Sequence, residues 1–79
     1  MIDHKKSYIN SEVEYFLPIR NSYYNYVHLT GIICKIYNKY SEIKILNVIH
    51  DGSNVKYYKW CYKHNILIIC SNIYLSLKE

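Results

Sequence analysis

Cysteine and histidine are the residues of this chain whose types and spacing could support chemistry. Cys61 and His64 have the C-x-x-H spacing of half a zinc site, which His50 or Cys70 could complete. A structural zinc site needs four ligands, and cysteine is more commonly a buried, small apolar residue. We therefore favour buried thiols over zinc, and we expect neither a metal nor any other cofactor.

The reactive residue types do not assemble into an active site either. A Cys–His nucleophile needs an orienting third group and a cleft, which a chain of 79 residues can hardly build. The sequence contains no phosphate-binding loop, and no paired carboxylates or Ser-His-Asp set can be assembled from it. Cys34, Cys61 and Cys70 are odd in number and lack a C-x-x-C pair, which argues against a disulfide framework. We predict no enzymatic activity and no small-molecule substrate.

Aromatic residues alternate with lysines in the segment 56–63. Three interpretations are open: a stacking platform for single-stranded nucleic acid, a strand with one face in the core, or a protein interface, where Tyr and Trp are enriched. We favour the interface. The aromatic residues are Tyr57, Tyr58, Trp60 and Tyr62, and the lysines are Lys56, Lys59 and Lys63.

Composition limits the choice of protein class. The chain has 79 residues, 51% of them hydrophobic, which is enough for one small domain. Its net charge is +4 and its isoelectric point about 8.9, with lysines spread along the chain, so we favour an ordinary solvated surface over a nucleic-acid patch. We find neither a signal sequence nor an apolar run long enough to cross a membrane, and we expect a soluble intracellular protein.

Hydrophobic patterning predicts a domain dominated by strands. Residues 1–10 are polar and predict a flexible tail, and Ser11 to Glu14 has the S-x-x-E form of a capping box, which predicts a short helix over 11–16. Residues 11–79 would form the single domain. Strands are predicted over 19–24, 26–37, 42–49, 54–61 and 65–75.

Two glycines mark sharp places in this strand pattern. The apolar set changes phase at Gly31, which predicts a bulge or bend in the second strand. Asp51 and Gly52 are a dipeptide typical of a tight hairpin between the third and fourth strands. Together these features predict an all-β or small α+β fold: five antiparallel strands in a strongly bent barrel, with a short N-terminal helix.

The stretch from Gly31 to Val48 resembles the first Sm motif: a glycine, apolar alternation, a polar turn, then an apolar strand ending at Asn-Val. The chain therefore resembles the Sm-like (Sm/Lsm) superfamily, and within it the Gemin subunits of the SMN complex, the sixth in particular. An OB-fold, the other small barrel of this length, would need a helix between the third and fourth strands, where the predicted gap is only 50–53. We expect an Sm-like barrel.

Residues that hold uridine in RNA-binding Sm proteins are missing. The aspartate position of the motif is Tyr37 or Asn38 here, and the asparagine position is Ser41 or Glu42. The Arg-Gly pair is also absent: Arg20 is the only arginine, and residues 61–63 or 69–70 occupy that place. The resemblance therefore implies contact with proteins rather than with RNA.

The resemblance implies a non-catalytic subunit of an SMN-type complex that assembles spliceosomal small nuclear ribonucleoproteins by strand pairing, in cytoplasm and nucleus. Its partners would be a second Sm-like subunit, similar to the seventh Gemin, and other SMN-complex proteins, with RNA contacted only indirectly and no membrane. The alternative is a divergent Lsm-like or Hfq-like RNA-binding ring subunit. Residues 62–64 (Tyr-Lys-His) also resemble Hfq, which we interpret as a shared fold rather than a shared function. The expected interface residues are Val55, Tyr57, Tyr58, Trp60, Ile66, Leu67, Ile68 and Ile69.

Overall fold

The computed structural model describes residue 2 and residues 8–19, 25–52 and 56–78. The described part of the chain forms five strands, one α-helix and one turn of 3₁₀ helix. In chain order they are β1 (Glu12–Pro18), β2 (Tyr26–Ile36), β3 (Tyr40–Asp51), α1 (Tyr57–Lys63), β4 (Ile68–Ser71), the 3₁₀ turn (Asn72–Tyr74) and β5 (Leu75–Leu77).

All five strands belong to one antiparallel sheet that curls strongly into a half-barrel. The strand order is β4-β3-β2-β1-β5, so the last strand returns to lie beside the first. Three register shifts interrupt the β2–β3 pairing, and such irregularities increase local twist. One of them lies between Thr30 and Gly31, where the apolar pattern changes phase. A β-carbon at Gly31 would collide with Ile43 and would lie 2.7 Å from the Lys44 carbonyl oxygen, so only glycine allows this approach.

The core lies inside the curl of the sheet. Alternate side chains of the strands point into it, as Val13 and Tyr15 of β1 do, and α1 adds the buried Cys61. Tyr58 of the helix packs against the edge of this core. The remaining buried hydrophobic residues of the strands are Val27, Leu29, Ile33, Ile43, Ile45, Ile68, Cys70 and Leu75.

The helix predicted over 11–16 is wrong, because this segment begins β1. Val13 and Tyr15 are buried while Glu12 and Phe16 are exposed, which is the two-residue period of a strand. Pairing with β2 on one side and β5 on the other satisfies the backbone that a capping box would otherwise serve. Of the first predicted strand, 19–24, residues 20–24 lie outside the described residues.

The fourth predicted strand, 54–61, is also wrong, and so is the tight hairpin before it. Gly52 has the expected positive φ of 67°, but the chain then enters α1 rather than a returning strand. Asp51 supports this change of direction: its buried carboxylate accepts a hydrogen bond of 2.8 Å from the backbone N–H of Lys56. Only Cys61 of this helix is buried, so one side of a helix is enough to contribute to the core.

The remaining strand predictions agree more closely with the structure. The predicted strands 26–37 and 42–49 correspond to β2 and β3, and the run 65–75 contains β4 and the start of β5. A helix between the third and fourth strands is the feature expected of an OB-fold. The strand order differs from a Greek key, however, because β4 lies beside β3 rather than beside β1.

The segment 1–10 is only partly described. Residues 1 and 3–7 of the predicted tail lie outside the described residues. Ile2 is buried, and its N–H donates a hydrogen bond of 3.1 Å to the carbonyl of Asn72.

Candidate protein-interaction surface

The two ends of the sheet are its candidate interaction surface. β4 pairs with β3 on one side and β5 pairs with β1, and within the described residues neither has a strand on its other side. An unpaired strand edge presents free backbone N–H and C=O groups that can pair with another chain. The sheet therefore offers two edges, which we call the β4 edge and the β5 edge.

Exposed aliphatic side chains line the β4 edge. Ile68 is 3% exposed and anchors the strand in the core, whereas the next residue, Ile69, is 59% exposed. Leu67 and Ile66, in the connection from α1, are 44% and 39% exposed. Water contact of this extent is unfavourable for large aliphatic residues, and a partner that covered them would gain roughly 25 cal/mol for each Å² buried.

The β5 edge is shorter but has the same character. Leu77 is 43% exposed, and Ile73 of the preceding 3₁₀ turn is 60% exposed, while Leu75 is buried. The strand is fastened beyond its end, where the Lys78 N–H donates to the Glu12 carbonyl and the two side chains form an ion pair at 3.2 Å. Each edge strand therefore has a buried residue in the core, Ile68 or Leu75, and exposed apolar side chains beside it.

Asn72 ties the connection between the two edges to the turn between β2 and β3. Its side-chain oxygen accepts a hydrogen bond of 2.6 Å from the Ser41 hydroxyl, and its amide donates to the carbonyls of Tyr37 (3.1 Å) and Asn38 (3.4 Å). Asn72 and Ser41 are both buried. The hydrogen-bonding capacity of this amide is therefore used within the fold.

The structure places the eight predicted interface residues in three different settings. Val55 lies outside the described residues. Tyr57, Tyr58 and Trp60 lie on α1, so the prediction that they belong to an edge strand is wrong. Ile66 and Leu67 precede β4, and Ile68 and Ile69 begin it. The change from strand to helix moves the aromatic residues off the sheet edge and leaves the aliphatic residues on it.

The positions that correspond to the Sm uridine pocket lie at the turn between β2 and β3 and in α1 and β4. Tyr37 and Asn38 lie in the turn after β2, while Ser41 and Glu42 lie in β3. Residues 61–63 belong to α1 and residues 69–70 to β4, so the connection before β5 is the 3₁₀ turn that contains Asn72. The turn and this connection meet through the Asn72 hydrogen bonds.

Cys61 and His64, the two candidate zinc ligands, do not form a common site. Cys61 is 1% exposed in the core, whereas His64 is exposed and packs its ring against Trp60, with centroids 4.6 Å apart. Over residues 2, 8–19, 25–52 and 56–78, no group of three metal-ligating side chains is present.

All three cysteines are free, and burial raises the pKa of the Cys70 thiol to about 12, which keeps it protonated at neutral pH. No helix among the described residues is long and apolar enough to cross a membrane.

One cluster was missed from the sequence. Phe16 of β1, Tyr26 of β2 and His50 of β3 stack across the strands with ring centroids 4.9 and 4.1 Å apart. His50 Nδ1 donates a hydrogen bond of 2.7 Å to the Tyr26 carbonyl. Nearby, Nε2 of His28 lies 3.6 Å from Oε1 of Glu14. The strand register alone brings these rings together, and the register was not readable for β1, which was predicted as a helix.

Comparisons with known proteins give no relative. No protein-family model matches the chain, and no curated protein or solved structure is significantly similar to it.

Proposed function

We propose that this protein is a non-catalytic interaction subunit that binds a partner protein by pairing strands at the β4 edge or the β5 edge. The observation that carries the proposal is the β4 edge, where an outer backbone without a strand partner among the described residues coincides with exposed Ile66, Leu67 and Ile69. In such β-augmentation, backbone hydrogen bonds supply affinity and the flanking side chains select the partner.

The structure of β4 suits this role. Strands alternate their side chains between two faces, so Ile68 and Cys70 hold the strand in the core while Ile69 remains free for a partner. Natural sheet edges are usually protected by charges or proline, and β4 carries neither. A partner strand that covered this edge in a complex would prevent its aggregation with other chains.

The proposed setting is an SMN-type complex that assembles spliceosomal small nuclear ribonucleoproteins, with a second Sm-like subunit as partner. Support comes from the residues that resemble the Sm motif, since Gly31 to Val48 lie on the paired strands β2 and β3. The missing aspartate, asparagine and Arg-Gly positions support a subunit that does not hold RNA through the uridine pocket of the Sm proteins. A non-catalytic role is further supported by the buried, protonated Cys70 and by the use of Asn72 within the fold.

Substitution of one residue on the β4 edge tests the proposal. Ile69→Lys places a charge where a partner strand would pack, and Ile49→Lys is the matched control because Ile49 is similarly exposed (53% against 59%) but lies on the inner strand β3. We expect the tagged wild-type chain and the Ile49→Lys variant to recover a second Sm-like subunit and an SMN-like protein from native extracts. The Ile69→Lys variant should lose both.

Two results would overturn this proposal. One is equal recovery of the partner by both lysine variants. The other is a ring made of copies of this chain alone that binds oligouridine in preference to other sequences, which would establish the Lsm-like or Hfq-like alternative. Sedimentation with short oligonucleotides of different sequence separates the two functions.

A further inference from the structure

Three exposed lysines lie on α1 and at its N-terminus. Lys59 and Lys63 are four residues apart within the helix, so they share one side of it, opposite the side on which Cys61 is buried. Lys56 is the N-cap residue and has a positive φ of 86°. We call these three residues the lysine stripe.

Among the described residues, no carboxylate forms an ion pair with this stripe. The sequence contains neither Asp nor Glu between Gly52 and Lys78. The nearest acid in the chain, Asp51, is buried and binds the backbone N–H of Lys56 rather than a lysine side chain. In the described part of the structure, none of the three lysine side chains forms an ion pair. The positive charge of α1 is therefore available to an anionic ligand.

A second stripe on α1 is aromatic. Tyr57, Trp60 and His64 follow the same helical spacing beside the lysines. Tyr57 is 56% exposed and Trp60 is 51% exposed, and one side of the Trp60 indole packs on the His64 ring. Neighbouring exposed aromatic rings of this kind are a feature of interaction sites.

We infer that this face of α1 binds single-stranded nucleic acid, with phosphates on Lys56, Lys59 and Lys63 and a base stacked on Trp60 or Tyr57. Lysines that bind phosphate, combined with aromatic rings on which bases stack, are the two components of sequence-tolerant single-strand sites. An acidic peptide would satisfy the lysines but would leave the aromatic stripe unused. The site is separate from the β4 and β5 edges, so the inference goes beyond the proposed function.

Trp60 is the only tryptophan of the chain, which provides a direct measurement at the site. We expect 12-nucleotide single strands of uridine, adenosine and thymidine to quench the intrinsic fluorescence of the wild-type protein to similar extents. Three phosphate contacts on a single strand predict that log K falls with log salt concentration with a slope of about −2.

Variants separate the two components of the site. Lys59→Gln with Lys63→Gln removes two phosphate contacts and should reduce the steepness of the salt dependence by about 1.4. Trp60→Ala, measured by anisotropy of a labelled strand, should weaken binding roughly fivefold or more and leave the slope unchanged. Lys35→Gln with Lys44→Gln is the matched control, because these lysines are also exposed but lie on β2 and β3.

Circular dichroism establishes that each variant is folded before binding is compared. The inference is overturned if single strands leave Trp60 fluorescence unchanged, or if the control pair weakens binding as much as the α1 pair. It is also overturned if a 12-residue polyglutamate quenches Trp60 and displaces the oligonucleotide at matched charge, since the ligand would then be an acidic protein segment.

Discussion

At the scale of single residues, Asn72 links the two ends of the sheet. Its side chain is the only one among the described residues that hydrogen-bonds both Ser41 and the turn after β2. It lies in the 3₁₀ turn that connects β4 to β5. The position of each edge therefore depends on the side-chain amide of Asn72, which no sequence motif marks.

Replacing Asn72 by Ala should destabilise the fold by about 2 kcal/mol, because the buried Ser41 hydroxyl and the backbone carbonyls of Tyr37 and Asn38 would lose a partner. Chemical denaturation measures this change. Asn47→Ala is the matched control, since Asn47 is exposed on β3, and it should change the unfolding free energy by less than about 0.5 kcal/mol. Equal effects from the two substitutions would refute the role assigned to Asn72.

At the scale of elements, the sequence predicted long, strongly patterned strands well and short segments poorly. β2 and β3 were recognised because their apolar residues recur over more than ten positions. β1 was taken for a helix because the capping-box signal of Ser11 and Glu14 is local, whereas its pairing with β2 and β5 is not.

The helix α1 was missed for a related physical reason. Tyrosine and tryptophan favour strands in isolation, but here only Cys61 and part of Tyr58 needed burial, which one side of a helix achieves. Of the candidate interface, the aliphatic residues before and within β4 could be predicted. The separation of these aliphatic residues from the aromatic residues could not be predicted, because it follows from residues 57–63 forming a helix instead of a strand.

At the scale of the whole molecule, the core contains a thiol and a phenol whose ionisation in alkali should lower the stability of the fold. Burial raises the pKa of Cys70 to about 12 and also raises the pKa of Tyr15 above its ordinary value. Both groups are neutral in the folded protein and ionise more readily when unfolded. Their contribution to stability is therefore complete below pH 9, the ordinary pKa of the thiol, and declines as the pH rises.

We expect the free energy of unfolding to fall by roughly 1.4 kcal/mol per pH unit for each group, above pH 9 for Cys70 and above pH 10 for Tyr15. Urea denaturation under reducing conditions at several pH values between 8 and 11 tests this. Cys70→Ala removes one of the groups, and its stability should decline less steeply than that of the wild type over the same range. An identical decline in both proteins would contradict the assignment to Cys70.

Coverage of the sheet edges is the central claim, and backbone amide hydrogen exchange tests it most directly. Exchange is measured for the free protein and for its complex with the partner that the tagged chain recovers from extract. Strand pairing predicts slower exchange on binding at the amides of Ile68–Ser71, of Leu75–Leu77, or of both, because paired N–H groups no longer contact water. Unchanged exchange at both edges, with protection confined to α1 or to the aromatic stack of Phe16, Tyr26 and His50, would contradict it.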